Sequence, residues 1–578
     1  MQNKEIAYSL KRETTRQQTG FFIVVPDEPL SPEDALALLK TRPLDDFLHQ
    51  YLLTHFTSLT ADTLQAFLTR NSATEEPVCR ALAAEHLLLT RGHDHFKKRF
   101  STDTILDLSR YTPLIYLRSF LEPDQFLHNR WTELFRDNIY RHRPLPAPEK
   151  TGLSPLHLTN APTKQHLTLA ELADNVARGD PLPGTKISPA MTANTATEQL
   201  ARAGVELGQL MRHEASLSPI GLLRSWRFTT RVDNRRNRFS LSGEQISYGR
   251  GLTLDTARAS LMMEIVERCS AFASVTANRL ENYRNAYPLR RASYSELFQD
   301  YGVNDRPDSV RAVNPATLAL EVEYRDQSLH WVRGETPDQG DVRNGMQPIW
   351  IPVQCLFMFC NLDEPALFSG LGSTGLASGN TQAQARVAAL LEIIERHQAA
   401  TVPYDTSTCF RLVAHEPRLA ALLEAYRQAS IDVWFQDITP AMGIPCCRCF
   451  VAEQTGTVHT GTAAHLNARR AIISAITETT CPFPHPPPTR PAPPDLMVVG
   501  YENLPDYSAH NASADLALLE TLLIKNHYRP CYVDLTRKDI GLPVAKALVP
   551  GMEILGDFDV YSRVHPDLYN NYQSLFKR

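Results

Sequence analysis

The chain has no basic excess, no membrane-length apolar run and no cysteine framework. Its 578 residues carry 59 Lys and Arg against 64 Asp and Glu, for a net charge of −5. A nucleic-acid binder neutralises phosphates with a basic face, so a nucleic-acid partner is not expected. No stretch reaches the roughly 18 apolar residues of a membrane span, so no membrane association is expected. The opening Met-Gln-Asn-Lys-Glu leads into no apolar export segment. Ten cysteines in so long a chain read as the reduced thiols of a cytoplasmic protein. Metal-ligand spacing is missing too. Cys446, Cys447 and Cys449 have no matching Cys-x-x-Cys pair, and after Gly443-Ile444-Pro445 they read as a strand. No Gly-x-x-x-x-Gly-Lys-Ser/Thr occurs, which excludes a P-loop.

What is present is an ordinary globular composition, 43% hydrophobic and 21% charged, at a length that calls for two or three domains. Residues 1–142 read as a mainly helical domain. Ser31-Pro32-Glu33-Asp34 is a helix start, with a hydroxyl cap, proline at the first position and acids in the first turn. Leu36, Leu39, Leu48, Leu52, Leu53, Leu64 and Leu68 then recur at helical spacing. A Pro/Thr-rich linker region follows over 143–195, with one short helix around Leu169–Val176 and a Pro181-Leu182-Pro183-Gly184 run. Residues 196–578 alternate strands and helices, with strands expected at Trp331-Val332, Trp350–Val353 and Cys531–Leu535. The fold class is therefore α/β (α+β). A proline-rich loop, 482–494, interrupts this domain as a stiff surface segment.

An internal repeat carries the chemistry. Ala257-Arg258 leads to Glu264, Glu267 and Arg268; Ala385-Arg386 leads to Glu392, Glu395 and Arg396; a fainter copy runs from Ala468-Arg469 to Glu478. Aligned on Ala-Arg, Glu267, Glu395 and Glu478 fall in register. Each helix follows a Gly-containing turn: Gly249-Arg250-Gly251, Gly375 to Asn380, and Gly461-Thr462. Residues three and four apart share a helix face, so the carboxylates form a narrow polar stripe among Leu261, Met262, Ile265 and Val266. A lone helix of this kind reads as an exposed Glu–Arg pair. Two near-copies and a partial third bring acids together that would repel unless cations lay between them. Magnesium is a suitable hard cation, and glycine turns at helix N-termini can admit phosphate.

These residues resemble the YcaO family over roughly 200–560. The resemblance rests on Ser-x-x-x-Glu-x-x-Glu-Arg at Ser260, Glu264, Glu267 and Arg268. It rests also on Ser-x-Gly-x-Ala-x-Gly-Asn from Ser373 to Asn380, and on the tail from Val533-Asp534-Leu535-Thr536 to Val549-Pro550-Gly551. It implies a YcaO-like domain of strand-helix units around an ATP site, and ATP with Mg2+ as cofactors. The implied activity is phosphorylation of a peptide backbone amide oxygen after a nucleophile adds to the carbonyl, leading to azolines, thioamides or amidines. Arg250, Ser260, Glu264, Arg268, Ser373, Asn380 and Arg396 are the implied nucleotide-binding residues. Glu267, Glu392, Glu395, Glu478 and Gln384 are the implied metal ligands.

Three departures from the family pattern bear on activity. Arg250 stands where lysine is usual, Gln384 where an acid is common, and Ser474 where arginine is common, with Arg469 and Arg470 nearby. The chain ends Ser574-Leu575-Phe576-Lys577-Arg578, without a proline-rich tail, and shows no fused adenylating-enzyme-like domain. Both point away from azoline synthesis toward thioamidation or ribosomal-protein modification, or toward a stand-alone member with a separate TfuA-like or ThiF-like partner acting with a peptide or protein substrate. A homodimer is a further expected assembly. The alternative reading is a nucleotide-binding accessory protein that assists another modifier, such as a ribosomal-protein methylthiotransferase. No catalytic nucleophile is assigned, and Cys269 and Cys481 read as small buried residues.

Overall fold

The computed structural model describes residues 5–14, 20–60, 63–64, 76–91, 96–158, 167–175, 187–302, 310–338 and 342–577. Leu68, Val176 and the 181–184 run lie outside the described residues. Among those described, the strands form three sheets. The first holds β1 (Ile6–Thr14), β2 (Gly20–Pro26), β3 (Leu207–Arg212), β4 (Ile220–Asn234), β5 (Asn237–Gly251), β6 (Val275–Thr276), β7 (Arg279–Leu280) and β8 (Tyr287–Pro288). Their order is β2-β1-β5-β4-β6-β7-β8, with β3 on β4. The second joins β9 (Arg290–Ala292), β10 (Arg311–Ala312), β11 (Leu329–Pro337), β12 (Met346–Pro352) and β13 (Leu376–Ser378) to β20 (Cys531–Asp534) and β21 (Val544–Leu548). The third contains β14 (Cys409–Val413), β15 (Trp434–Asp437), β16 (Cys446–Glu453), β17 (Val458–Ala464), β18 (Thr489–Arg490) and β19 (Met497–Gly500). All ten cysteines are free thiols, and Cys446, Cys447 and Cys449 lie in β16 as expected.

Helices α1 (Pro32–Thr41), α2 (Asp46–Ser58), α3 (Pro77–Arg91), α4 (Thr102–Leu108), α5 (Tyr116–Phe120) and α6 (Gln125–Arg141) come first, then α7 (Leu169–Asn175) and α8 (Pro189–Arg202). Next are α9 (Leu254–Ser270), α10 (Tyr294–Gly302), α11 (Gln382–Thr401), α12 (Pro417–Gln428), α13 (Ala468–Glu478), α14 (Ala512–Lys525) and α15 (Pro566–Leu575). Among the described residues no helix is long and apolar enough to cross a membrane. Helix α1 begins as its sequence demands: the Ser31 hydroxyl accepts the Asp34 N–H and Pro32 opens the first turn.

The first 142 residues supply strands as well as helices. β1 runs parallel to β5, from Ile6 opposite Phe239 to Leu10 opposite Gly243. Tyr8, Phe47 and Phe239 then meet edge to face, with ring centroids 5.3 to 5.7 Å apart. Their core is continuous with Leu261, Trp331 and Val533 further along the chain. At the other end α15 packs on α6, through Tyr569 and Tyr572 against Trp131 and Phe135.

One long helix lies on each sheet: α9 on β4 and β5, α11 on β13 and β21, α13 on β16 and β17. Glycines permit the approach. A Cβ on Gly249 would lie 2.2 Å from the Ala257 carbonyl oxygen, and one on Gly461 would lie 2.2 Å from that of Ala475. The Gly249-Arg250-Gly251 segment is the end of β5, paired with β4, and not a turn. Its glycines serve helix–strand contact, so the sequence reading of them as a phosphate cradle is replaced by a packing role.

Candidate functional site

The three sheet-borne helices share one frame, set by their caps. Thr253, Thr381 and Asn467 cap α9, α11 and α13, each accepting the backbone N–H three residues on. Counted from these caps, Glu264, Glu392 and Glu478 occupy one place (253 to 264, 381 to 392, 467 to 478), and Glu267 and Glu395 lie one turn further on. The Ala-Arg alignment had set Glu478 beside Glu267 and Glu395. It slips by three because Ala468 is the first residue of α13, whereas Ala257 and Ala385 are the fourth residues of their helices. In the cap register Arg470 is the counterpart of Gln384.

The helices converge on a cavity of about 1140 Å³ whose wall includes Arg250, Ser260, Glu264, Glu267, Arg268, Gln384, Glu392, Glu395, Arg396 and Glu478. Ser373 and Asn380 are not in that wall. The Asn380 amide Nδ2 donates to Thr192 Oγ1 of α8 at 3.1 Å, and its backbone N–H donates to Gln384 Oε1 at 3.0 Å. The Ser373 carbonyl accepts the Leu376 N–H at 2.8 Å, closing the turn before β13. Ser378 lines the cavity instead, its hydroxyl donating to the Met263 carbonyl at 2.9 Å.

Burial raises all five carboxylates above the usual range. For Glu267, burial and then the neighbouring Glu392 and Glu264 outweigh Arg268 and lift the group to about 8. Burial and the charge of Glu478 raise Glu395 well above the usual range, and Glu264, Glu392 and Glu478 rise as well, each chiefly through burial. The arginines offset this from a distance. Arg268 stands 3.7 Å from Glu264 and 3.8 Å from Glu267, and Arg396 stands 3.6 Å from Glu395. None of these is a hydrogen-bond length. Arg250 Nε is enclosed without a hydrogen-bond partner among the described residues. The site therefore has both acids in conflict and cationic donors not spent on them.

Sequence reasoning missed Lys546. It is buried in β21, where its ammonium donates to the Thr374 carbonyl at 2.7 Å. Burial lowers it to about 8 against the pull of Glu392. A lone lysine within the apolar run Val544–Leu548 was the available signal. Tyr248, His465, Ser508, Asn511 and Asp515 also line the cavity, and no motif announced them.

A domain with three helix-on-sheet units closing on a cluster of carboxylates is unlike any P-loop or dinucleotide fold. The family model for YcaO cyclodehydratases, described as ATP- and Mg2+-binding, matches residues 248–485 and 480–553. The chain belongs to the YcaO family. It is 26% identical over 343 residues to an uncharacterized protein of Methanothermobacter thermautotrophicus, covering 53% of this chain and 81% of that one. Among solved structures it is similar to a heterocyclase in complex with substrate and cofactor (20% identity, TM-score 0.46, 64% of this chain and 52% of that). It is also similar to the heterocyclase TruD (20%, 0.40, 52% and 46%). A third is YcaO from Methanopyrus kandleri bound with AMPPCP and Mg2+ (18%, 0.42, 63% and 91%). The chain spans about half the length of the two heterocyclases.

ATP and Mg2+ are the ligands this family is described as binding, and the residues present fit both. The raised carboxylates are hard oxygen donors whose mutual repulsion a divalent cation relieves, and the unspent guanidinium groups match phosphate oxygens.

Proposed function

We propose that this protein is an enzyme that uses Mg-ATP to activate a backbone amide of a peptide or protein. The observation that carries the reading is the convergence of five carboxylates, from three helices that lie on separate sheets, on one cavity. Glu267, Glu392, Glu395 and Glu478 hold Mg2+, with Gln384 as a neutral neighbour. Arg250, Arg268 and Arg396 bind phosphate oxygens, and Ser260 and Glu264 complete the nucleotide side. Mg-ATP supplies a phosphoryl group that, placed on the amide oxygen, turns a poor leaving group into phosphate. The arginines spread the charge that builds on the transferring group, and the apolar helix faces behind the acids keep that charge out of bulk water. No cysteine lies in the described cavity wall, so the attacking atom comes from the substrate or from a sulfide donor. A substrate thiol or hydroxyl gives an azoline, and sulfide gives a thioamide. A TfuA-like or ThiF-like partner delivers the peptide.

The test uses a library of cysteine-containing peptides with 18O in the backbone carbonyls. The expected result is peptide-dependent ADP formation with 18O in the released phosphate, lost by about 100-fold or more in Glu395→Ala. ATP turnover without transfer of the label would sink the reading. The accessory-protein reading is favoured by one contact, the Asn380 N–H on Gln384 Oε1, which takes one of the two lone pairs of an oxygen that carries no charge. Mg-ATP binding without peptide-dependent ADP release would select it.

A further inference from the structure

A second part of the cavity wall comes from outside the five-acid stripe and lies beside Arg470. His465, just beyond β17, and Ser508, Asn511 and Asp515, around the start of α14, form it. Each has its hydrogen-bonding role set by a contact behind it. His465 Nδ1 accepts the Asn467 N–H at 2.8 Å, so the neutral ring carries its proton on Nε2. Burial, and then Arg470, lower the imidazole to about 4, so near neutral pH it is an uncharged donor. Asn511 spends its Oδ1 on the Ser513 and Ala514 N–H groups, which leaves its NH2 as a donor. Ser508 spends its proton on Asp506 at 2.6 Å, and His510 Nδ1 lies 3.3 Å from the same oxygen, which leaves one lone pair as an acceptor. Asp515 accepts the Ala509 N–H on Oδ1 at 2.7 Å and keeps Oδ2 as an acceptor.

The third helix-on-sheet unit departs from the other two at this place. Two residues before the cap, those units have Gly251 and Gly379, where a Cβ would lie 2.2 Å from Thr256 Oγ1 and 2.6 Å from the Ala385 nitrogen. Only the third unit carries a side chain there, and it lines the cavity.

Resting on the reading of the acid wall as the Mg-ATP site, we propose that His465, Ser508, Asn511 and Asp515 bind an extended stretch of substrate peptide backbone beside the amide to be activated. Two donors and two acceptors on one wall complement a backbone, which offers N–H and C=O groups along its length. A triphosphate offers acceptors alone, so Ser508 and Asp515 would have nothing to accept from it, while Arg470 in the same lining serves either ligand. Because the contacts are to backbone atoms, the wall accepts many sequences and leaves selection of the substrate to other surfaces.

The experiment measures fluorescence anisotropy of a labelled random nonapeptide library, with amidated C-termini, on the full chain loaded with Mg-AMPPCP. Titration of Mg-AMPPCP alone is the second readout. His465→Ala and Ser508→Ala are expected to weaken peptide binding by about tenfold each and to leave nucleotide affinity within about twofold. His465→Gln, which restores a side-chain donor, is expected to recover part of the loss. Ser508→Ala is nearly isosteric, so it reads the wall even if the histidine variants fold poorly. Equal peptide binding in wild type and variants overturns the proposal. A parallel loss of nucleotide affinity assigns the wall to the nucleotide and also overturns it. Nucleotide binding by the wild type with no peptide binding removes the wall alone. No Mg-AMPPCP binding by the wild type removes the ATP reading, and the wall with it.

Discussion

Glu395 is buried at 9% exposure with burial, Glu478 and Glu392 raising its proton affinity, opposed by Arg396, 3.6 Å away, and by the Ala464 backbone N–H. Such a residue costs stability until a cation arrives. Glu395→Gln keeps the shape and removes the charge. In EDTA the variant is expected to melt above the wild type, with a gain of about 1 kcal/mol. Mg-ATP should raise the wild-type melting temperature strongly and the variant much less. Thermal shift with and without Mg-ATP checks both. A variant that melts lower than wild type in EDTA would show that the carboxylate is an ordinary structural ion-pair member. Lys546 belongs to the same charge balance. Lys546→Met removes the only donor recorded to the Thr374 carbonyl among the described contacts. It is expected to cost about 2 kcal/mol while lowering Mg-ATP affinity through Glu392, read by denaturant titration beside calorimetry.

At the scale of elements, the site depends on how closely each helix lies on its sheet. Gly461→Ala puts a methyl group 2.2 Å from the Ala475 carbonyl oxygen and 2.4 Å from the Thr479 nitrogen. Both are backbone atoms that cannot swing aside, so α13 must shift. The expected loss is about 1–3 kcal/mol, with a fall in Mg-ATP affinity because Glu478 moves with the helix. Unchanged affinity would show that Glu478 is not positioned by this contact. The helices themselves were legible in the sequence, because apolar spacing and hydroxyl or amide caps are local signals. The register of the third was not, since a shared Ala-Arg pair says nothing about where a helix begins. Strands β1 and β2 were not legible either. Ile6, Tyr8 and Leu10 alternate inward, but only over a short span between charged neighbours, and their partner β5 is remote in sequence. Most of the acid wall was legible, because the residues repeat. The opposite wall was not, because His465 and 508–515 have no repeated pattern and meet only through the fold. Ser373 and Asn380 matched a motif, yet one closes a turn and the other ties α8 to the start of α11.

Across the whole molecule, histidines held below their ordinary pKa are expected to weaken the fold in acid. His128 sits in α6, where Nδ1 accepts the Val564 N–H at 2.9 Å and Nε2 lies 3.2 Å from Arg563. Burial, then Arg563, depress it to about 4. His142, stacked on Tyr404, is depressed to about 3 by burial, Arg448 and Arg490. A folded pKa below the unfolded 6.5 favours folding above pH 6.5, and that contribution is lost as pH falls through the folded value. Each histidine is therefore expected to cost the fold up to about 3 kcal/mol between pH 6.5 and 4. His142→Phe keeps an aromatic ring and should flatten part of that slope in urea melts taken across this range. An unchanged slope would place the acid sensitivity elsewhere.

The parallel pairing of β1 with β5 joins segments about 230 residues apart in sequence. On a ribosome adding roughly 5–20 residues each second, β1 emerges some tens of seconds before the strand it pairs with. Until then β1 and β2 are a two-stranded ribbon, which is marginal alone in water, with the side of Tyr8 that meets Phe239 and the Leu10 side chain beside Gly243 uncovered. The edge of β1 that will meet β5 is a row of open N–H and C=O groups through that interval. Production of this protein is thus a race between elongation and misassociation, and slowed translation before residue 251 is expected to increase its dependence on chaperones that shield nascent chains.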